Sequence, residues 1–197
     1  MTAPLTLASS ELILGGQKSG KSRRAELLAR AWLAQSATHQ AVLVATAQPW
    51  DEEMQARISR HQRERALRVP GLQTVEEPRQ LAEAIGQHSR PHTLLVVDCL
   101  TLWLTNLLMP AEHSAGHPLV GGPAAQDAIA LLLGAISQAQ GPLVLVGNEI
   151  GLGVIPLGRE VRAFVDALGR LNQDVAQACE RVTLMAAGLP LTLKGCA

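Results

Sequence analysis

The chain has 197 residues, 47% hydrophobic and 17% charged, with 17 Lys plus Arg set against 17 Asp plus Glu. That balance suits one packed α/β domain, and it argues against a disordered chain, a generic nucleic-acid binder or a membrane-surface protein. Three Trp, one Phe and no Tyr are too few aromatics for a single-strand stacking platform, and three distant cysteines, Cys99, Cys179 and Cys196, fit a reduced cytoplasmic protein.

In chain order, residues 1–10 carry no basic region before an apolar core, so they read as a peripheral extension rather than a signal peptide. Glu11–Leu14 (ELIL) reads as a buried strand, and the Ala/Leu/Arg-rich segment Ser22–Gln35 as a helix. Ala41–Thr46 is a second strand. Asp51–Ala66 is a helix, with Asp51 placed to cap it and Glu52 and Glu53 in the favourable first turn. Leu72–Val75 is a short strand, and Pro78 is expected to open a helix running to about Gln87. His92–Asp98 is a third strong strand, followed by an apolar helix, Leu100–Leu108. Residues 110–123, rich in Gly and Pro, read as one long variable loop; its His113 and His117 carry no assigned role. Ala124–Gln138 is a helix, Pro142–Gly147 a strand and Gly158–Glu180 a long helix. The segment Arg181–Lys194 forms two strands around Gly188-Leu189-Pro190. No apolar run reaches membrane-spanning length. Apolar strands alternating with helices define a mostly parallel sheet covered on both faces, with an antiparallel edge strand at the C-terminus, in a single domain over 1–197.

Gly15-Gly16-Gln17-Lys18-Ser19-Gly20-Lys21-Ser22 fits the phosphate-loop pattern G-x-x-x-x-G-K-[ST] and lies between a predicted strand and a predicted helix, as that loop requires. Its glycines allow backbone N–H groups to cradle phosphate oxygens, Lys21 reaches toward the β- and γ-phosphates, and the Ser22 hydroxyl suits Mg²⁺. Asp98 ends the third strong strand, where an acidic group in such proteins holds Mg²⁺; a helix cap for the segment from Leu100 is the other role open to it. These features specify a nucleoside-triphosphate site without choosing among kinase, GTPase and motor.

Two further segments carry chemistry. His61 sits among Arg57, Arg60, Arg63 and Arg65, and Met54, Ile58 and His61 share one helical face. Neighbouring cations keep an imidazole neutral and nucleophilic, and they suit phosphate oxygens under attack. A solvated basic helix with an incidental histidine explains the same composition. Asn148 and Glu149 follow a buried strand, at the strand end where ligands bind in this architecture; a polar turn capping the next segment accounts for them equally well.

Taken together, GGQKSGKSRRAE, VATAQPWDEEMQARISRH, VVDCLTLWLTNLL, GNEIGLGVIP and GRLNQ occur in an order that resembles the bifunctional adenosylcobinamide kinase / adenosylcobinamide-phosphate guanylyltransferase family of cobalamin biosynthesis, over about Leu12 to Lys194. The resemblance implies two reactions. Adenosylcobinamide is phosphorylated with ATP or GTP, and GMP is then transferred from GTP through a guanylylated histidine, whose place His61 occupies. It further implies nucleotide-binding positions at Gly15 to Ser22, at Ala45, Thr46 and Ala47, at Gln62, Arg63, Glu64 and Arg65, and at Glu76 and Asp98. Mg²⁺ at Ser22 and Asp98 and a homotrimeric assembly belong to the same expectation. Arg60 stands beside the single His61 where some relatives have two adjacent histidines, and Gly147 stands where Thr or Ser is common. A monofunctional kinase, in which His61 is only structural, and a GTP-binding switch are the competing readings; the lack of an N-K-x-D guanine motif disfavours the switch.

Overall fold

The computed structural model describes residues 6–49, 51–109 and 123–196. Seven strands form one sheet: β1 (Ser10–Gly15), β2 (Gln40–Ala45), β3 (Leu72–Glu76), β4 (Thr93–Asp98), β5 (Leu143–Val146), β6 (Arg181–Ala186) and β7 (Leu189–Lys194). Among the described residues six helices intervene: α1 (Lys21–Leu33), α2 (Glu52–Arg68), α3 (Leu81–His88), α4 (Leu100–Leu108), α5 (Pro123–Ser137) and α6 (Arg159–Ala178). The spatial order is β3-β2-β4-β5-β1-β6-β7. All neighbours pair in parallel except β6 and β7, which are antiparallel. The expected α/β architecture, with its antiparallel C-terminal edge, is therefore present. The long variable loop, His113 and His117 included, lies outside the described residues.

The two cores follow from the period-2 alternation of the strands. Leu12, Leu14, Val42, Val44, Leu95 and Val97 face α3, α4, α5 and α6. Ile13, Leu43, Val96 and Val144 face α1 through Ala25, Leu28 and Ala29. Strands buried on both faces need apolar residues at every position, which is why they were legible as continuous runs.

Local chemistry moves several boundaries. Asp51 caps α2 as expected, accepting a hydrogen bond from the Met54 N–H at 2.7 Å. Pro78 does not open a helix. The Glu77 carboxylate takes the N–H groups of Arg79 and Gln80 at 2.9 and 2.8 Å, holding a turn, and α3 starts only at Leu81. The turn between β6 and β7 is Ala187-Gly188, both at positive φ, rather than Gly188-Leu189-Pro190; such a two-residue turn matches the twist of the strands it joins. The expectation of a peripheral residue 1–10 segment fails at its C-terminal end. Ala8 and Ser10 are buried, Ser10 belongs to β1, and Arg181 donates to the Thr6 carbonyl at 2.6 Å.

Candidate functional site

Parallel pairing aligns the strand ends in one row. Ile13 registers with Val146, Val146 with Asp98, and Asp98 and Glu76 both with Ala45. The loop from Gly15 to Gly20 leaves this row from β1 and feeds α1. Its shape depends on two glycines. Gly15 has φ +152, and a Cβ there would lie 2.5 Å from the Met185 carbonyl oxygen; Gly20 has φ +104, with Gly188 3.2 Å from where a Cβ would sit. Lys18 also adopts positive φ. The loop is braced from beneath: the Gly188 N–H donates to the Ser19 carbonyl at 2.9 Å. The hairpin turn is thus part of the loop's foundation, a role that sequence reading did not find.

Lys21 is 8% exposed, and its ammonium donates to the Gly16 carbonyl at 2.7 Å. Burial pushes its pKa below the usual lysine value, against an upward bias from Cys99 and Asp98. Asp98 thus acts electrostatically on the loop lysine from the end of β4. Helix α4 is capped by Cys99 without a side-chain hydrogen bond, so Asp98 does not serve as its cap. The Ser19 hydroxyl is buried within the loop with no hydrogen-bond partner among the described residues. Ser22 lies half-buried in the first turn of α1.

Thr46, expected at the nucleotide site, has its hydroxyl engaged in a structural joint. It is fully buried, its hydroxyl donates to the Cys99 carbonyl at 2.7 Å and accepts from the Cys99 N–H at 2.9 Å, and it is thereby spent on joining β2 to the start of α4. Ala45 and Ala47 flank it, half-buried. Asn106 of α4 reinforces the joint by donating to the carbonyls of Thr46 and Pro78 at 2.8 and 3.0 Å. Asn148 is pinned twice: its N–H donates to the Thr101 hydroxyl at 2.9 Å and its carbonyl accepts from Asn172 at 3.0 Å. The Glu149 N–H donates to the Gly15 carbonyl at 3.1 Å, so the segment after β5 is tied to the first residue of the loop. A partial signal for these pins was present in the apolar helical segment LTLWLTNLL, whose few polar residues include Thr101 and Asn106; Asn172, among the polar residues of GRLNQ, carried none.

Helix α2 presents His61 half-buried at its middle. The arginines do not all surround it. Arg60 and Arg63 are exposed and the Arg63 Nε–H donates to the Ser59 carbonyl, whereas Arg65 is buried against Glu26 of α1. The Arg57 side chain lies outside the described set. Glu64 pairs with Arg68 at 3.2 Å. The Gln62 amide donates to the Glu76 carboxylate at 3.0 Å, tying α2 to the end of β3 in the strand-end row.

A glycine loop between a strand and a helix, a buried lysine folded over it and an acidic strand end acting on that lysine make this an α/β protein of the phosphate-loop-like class. Comparison with known proteins narrows the class. The family described as cobinamide kinase / cobinamide phosphate guanyltransferase matches residues 11–193. A relative from Pseudomonas aeruginosa, the bifunctional adenosylcobalamin biosynthesis protein CobP, is 46% identical over 94% of this chain and 97% of its own length. Bifunctional adenosylcobalamin biosynthesis proteins CobU from Escherichia coli and Salmonella typhimurium are 34% and 35% identical, each over 93% of this chain and 98% of their own length. The chain belongs to the cobinamide kinase / cobinamide phosphate guanyltransferase family.

Proposed function

We propose that this protein phosphorylates the aminopropanol hydroxyl of adenosylcobinamide with ATP or GTP. It then transfers GMP from GTP to that phosphate through a guanylylated His61, releasing pyrophosphate and adenosylcobinamide-GDP. The observation that carries the reading is Lys21, buried, held on the Gly16 carbonyl and under the electrostatic pull of Cys99 and Asp98, in a chain of this family.

In the kinase step Lys21 exchanges the carbonyl for β- and γ-phosphate oxygens. Backbone N–H groups of residues 15–20 and the N-terminus of α1 hold the remaining oxygens, and the geometry, rather than covalent chemistry, supplies the rate. The Ser22 hydroxyl and the Asp98 carboxylate form the hard-oxygen pair that suits Mg²⁺, which neutralises phosphate charge when bound. Among the described residues no group of three His, Cys, Asp or Glu could hold a metal. A set this small fits an ion that takes its other ligands from phosphate and water. Ala45, Thr46, Ala47, Gln62, Arg63, Glu64, Arg65 and Glu76 complete the nucleotide site, where the Thr46 hydroxyl also holds β2 and α4 together.

In the transferase step the neutral His61 imidazole attacks the α-phosphorus of GTP, the bond to the bridging oxygen breaks, and pyrophosphate leaves with the electron pair. The substrate phosphate then takes GMP from the histidine, so that one displacement becomes two. The protein works as a homotrimer in this reading. Among the described residues no helix is long and apolar enough to cross a membrane.

The test is incubation with α-labelled GTP, denaturation and mapping of the label. A phosphoramidate should survive alkali and be lost in acid. His61→Asn should abolish labelling and stop product at adenosylcobinamide phosphate, with kinase activity largely kept. Adenosylcobinamide-GDP formed by that variant at the wild-type rate would refute the covalent role of His61, and wild-type protein that stops at adenosylcobinamide phosphate without label would leave the monofunctional kinase reading in its place.

A further inference from the structure

Charge, rather than apolar packing, holds helix α2 to the body of the protein. Among its described side chains one is buried, and it is an arginine, Arg65. Its partner is Glu26, in the second turn of α1 and 5% exposed. Arg68 grips this carboxylate with two hydrogen bonds, Nε to Oε2 at 2.7 Å and Nη2 to Oε1 at 3.0 Å. Arg65 Nε lies 3.8 Å from Oε1. The paired carboxylate holds the Arg68 guanidinium above its usual pKa. Breaking a buried ion pair by removing one partner strands the other charge in a poor solvent, so the two helices are strongly bound to this arrangement.

The position of the pair matters more than its strength. His61, Arg65 and Arg68 stand at i, i+4 and i+7, on one helical face. Holding both arginines on one carboxylate therefore fixes the roll of α2 about its axis, and with it the direction in which His61 faces. The carboxylate itself stands on the helix whose first residue is Lys21. One rigid element thus carries the phosphate loop at its start and the anchor of the histidine helix a turn later.

We propose that Glu26 is a positioning residue for guanylyl transfer: through Arg65 and Arg68 it sets the roll of α2 so that His61 faces the nucleotide held by the loop at the start of α1. The inference rests on the reading of His61 as the carrier of GMP. Glu26 takes no proton and forms no bond in the reaction; the N–P bond forms at His61 and the leaving pyrophosphate takes the electron pair, as above. The kinase step does not use His61, so it depends less on Glu26 than guanylyl transfer does.

Glu26→Gln keeps the side-chain size and removes the charge. In the full-length protein, two rates are compared: phosphate transfer from γ-labelled ATP to adenosylcobinamide, and incorporation of α-labelled GTP into the protein with the labelled residue mapped by mass spectrometry. The expected result is a fall in labelling of tenfold or more with the kinase rate within threefold of wild type, and partial recovery of labelling in Glu26→Asp. Labelling of Glu26→Gln within twofold of wild type overturns the proposal, as does a parallel fall of both rates with the folded fraction, which marks a purely structural pair. If Glu26→Gln does not fold, Arg68→Gln, which leaves Glu26 paired with Arg65, carries the same comparison. Wild-type label on a residue other than His61 overturns the His61 reading and this proposal together, whereas label on His61 that is indifferent to Glu26 overturns this proposal alone.

Discussion

Lys21 and Gly147 show how much single positions decide. The Lys21 ammonium is kept in place by one carbonyl at 2.7 Å while burial disfavours its charge. A phosphate oxygen satisfies that charge better than a neutral carbonyl, which makes the free loop ready for an anion. Lys21→Ala should therefore lose most kinase activity while staying folded, since removing one such contact raises a barrier by about 3–4 kcal/mol; steady-state rates within threefold of wild type would refute the assignment. Gly147 poses a smaller question. A Cβ there would lie 3.3 Å from Asn172 Oδ1, and that buried oxygen has no hydrogen-bond partner among the described residues. Resemblance to the family marks Thr or Ser as common at this position, and a hydroxyl there donates to the orphaned oxygen. Leaving a buried acceptor unmade costs about 1–3 kcal/mol. Gly147→Ser should thus raise the melting temperature by about 2–4 °C, the shift that about 1 kcal/mol produces in a domain of this size. An unchanged or lower value means that the contact with Leu14, 3.1 Å from the same Cβ, outweighs the new bond.

At the scale of elements, the strands and most helices were legible because each carries its own signal: doubly buried strands are apolar throughout, and Asp51 is a cap residue followed by two glutamates. The phosphate loop was legible for the same reason, as its glycines and lysine are consecutive. What the sequence could not show is pairing between distant residues. Glu26 meets Arg68 across 42 positions, and Thr46 meets Cys99 across 53. Nothing local distinguishes the hydroxyl of Thr46 as a clamp rather than a nucleotide contact, and nothing local selects Arg65 from its neighbours as the arginine that turns inward. Asn106 is the clearest element-scale joint, since one amide from α4 holds the end of β2 and the turn before α3. Asn106→Ala strands two carbonyls while also removing its own buried, unpartnered Oδ1. The net cost should be about 1–3 kcal/mol, read as a lower denaturant midpoint with an unchanged slope. A midpoint equal to wild type would show that water replaces the amide at no cost.

At the scale of the whole molecule the surface is unevenly apolar. After β5 the chain exposes Leu152, Val154, Ile155 and Leu157 at 80%, 96%, 78% and 98%, and β7 turns Leu189, Leu191 and Leu193 outward at 71%, 57% and 56%. The leucines of β7 alternate along one face of the sheet's edge strand, and an open apolar edge strand is a template for association unless another chain covers it. The proposed homotrimer gives these surfaces a purpose, because burying a leucine fully against a partner is worth about 1.5–3 kcal/mol of transfer free energy. The wild-type protein should therefore sediment with a mass three times the 20.9 kDa of one chain. Leu191→Asp places a charge in the middle of the β7 row and should shift the mass toward that of a single chain, with the far-ultraviolet circular dichroism unchanged because the leucine contributes nothing to the monomer's core. Val154→Asp makes the same test of the segment after β5. A wild-type mass of one chain would refute the trimer, and a trimer that survives both substitutions would show that copies meet through another face.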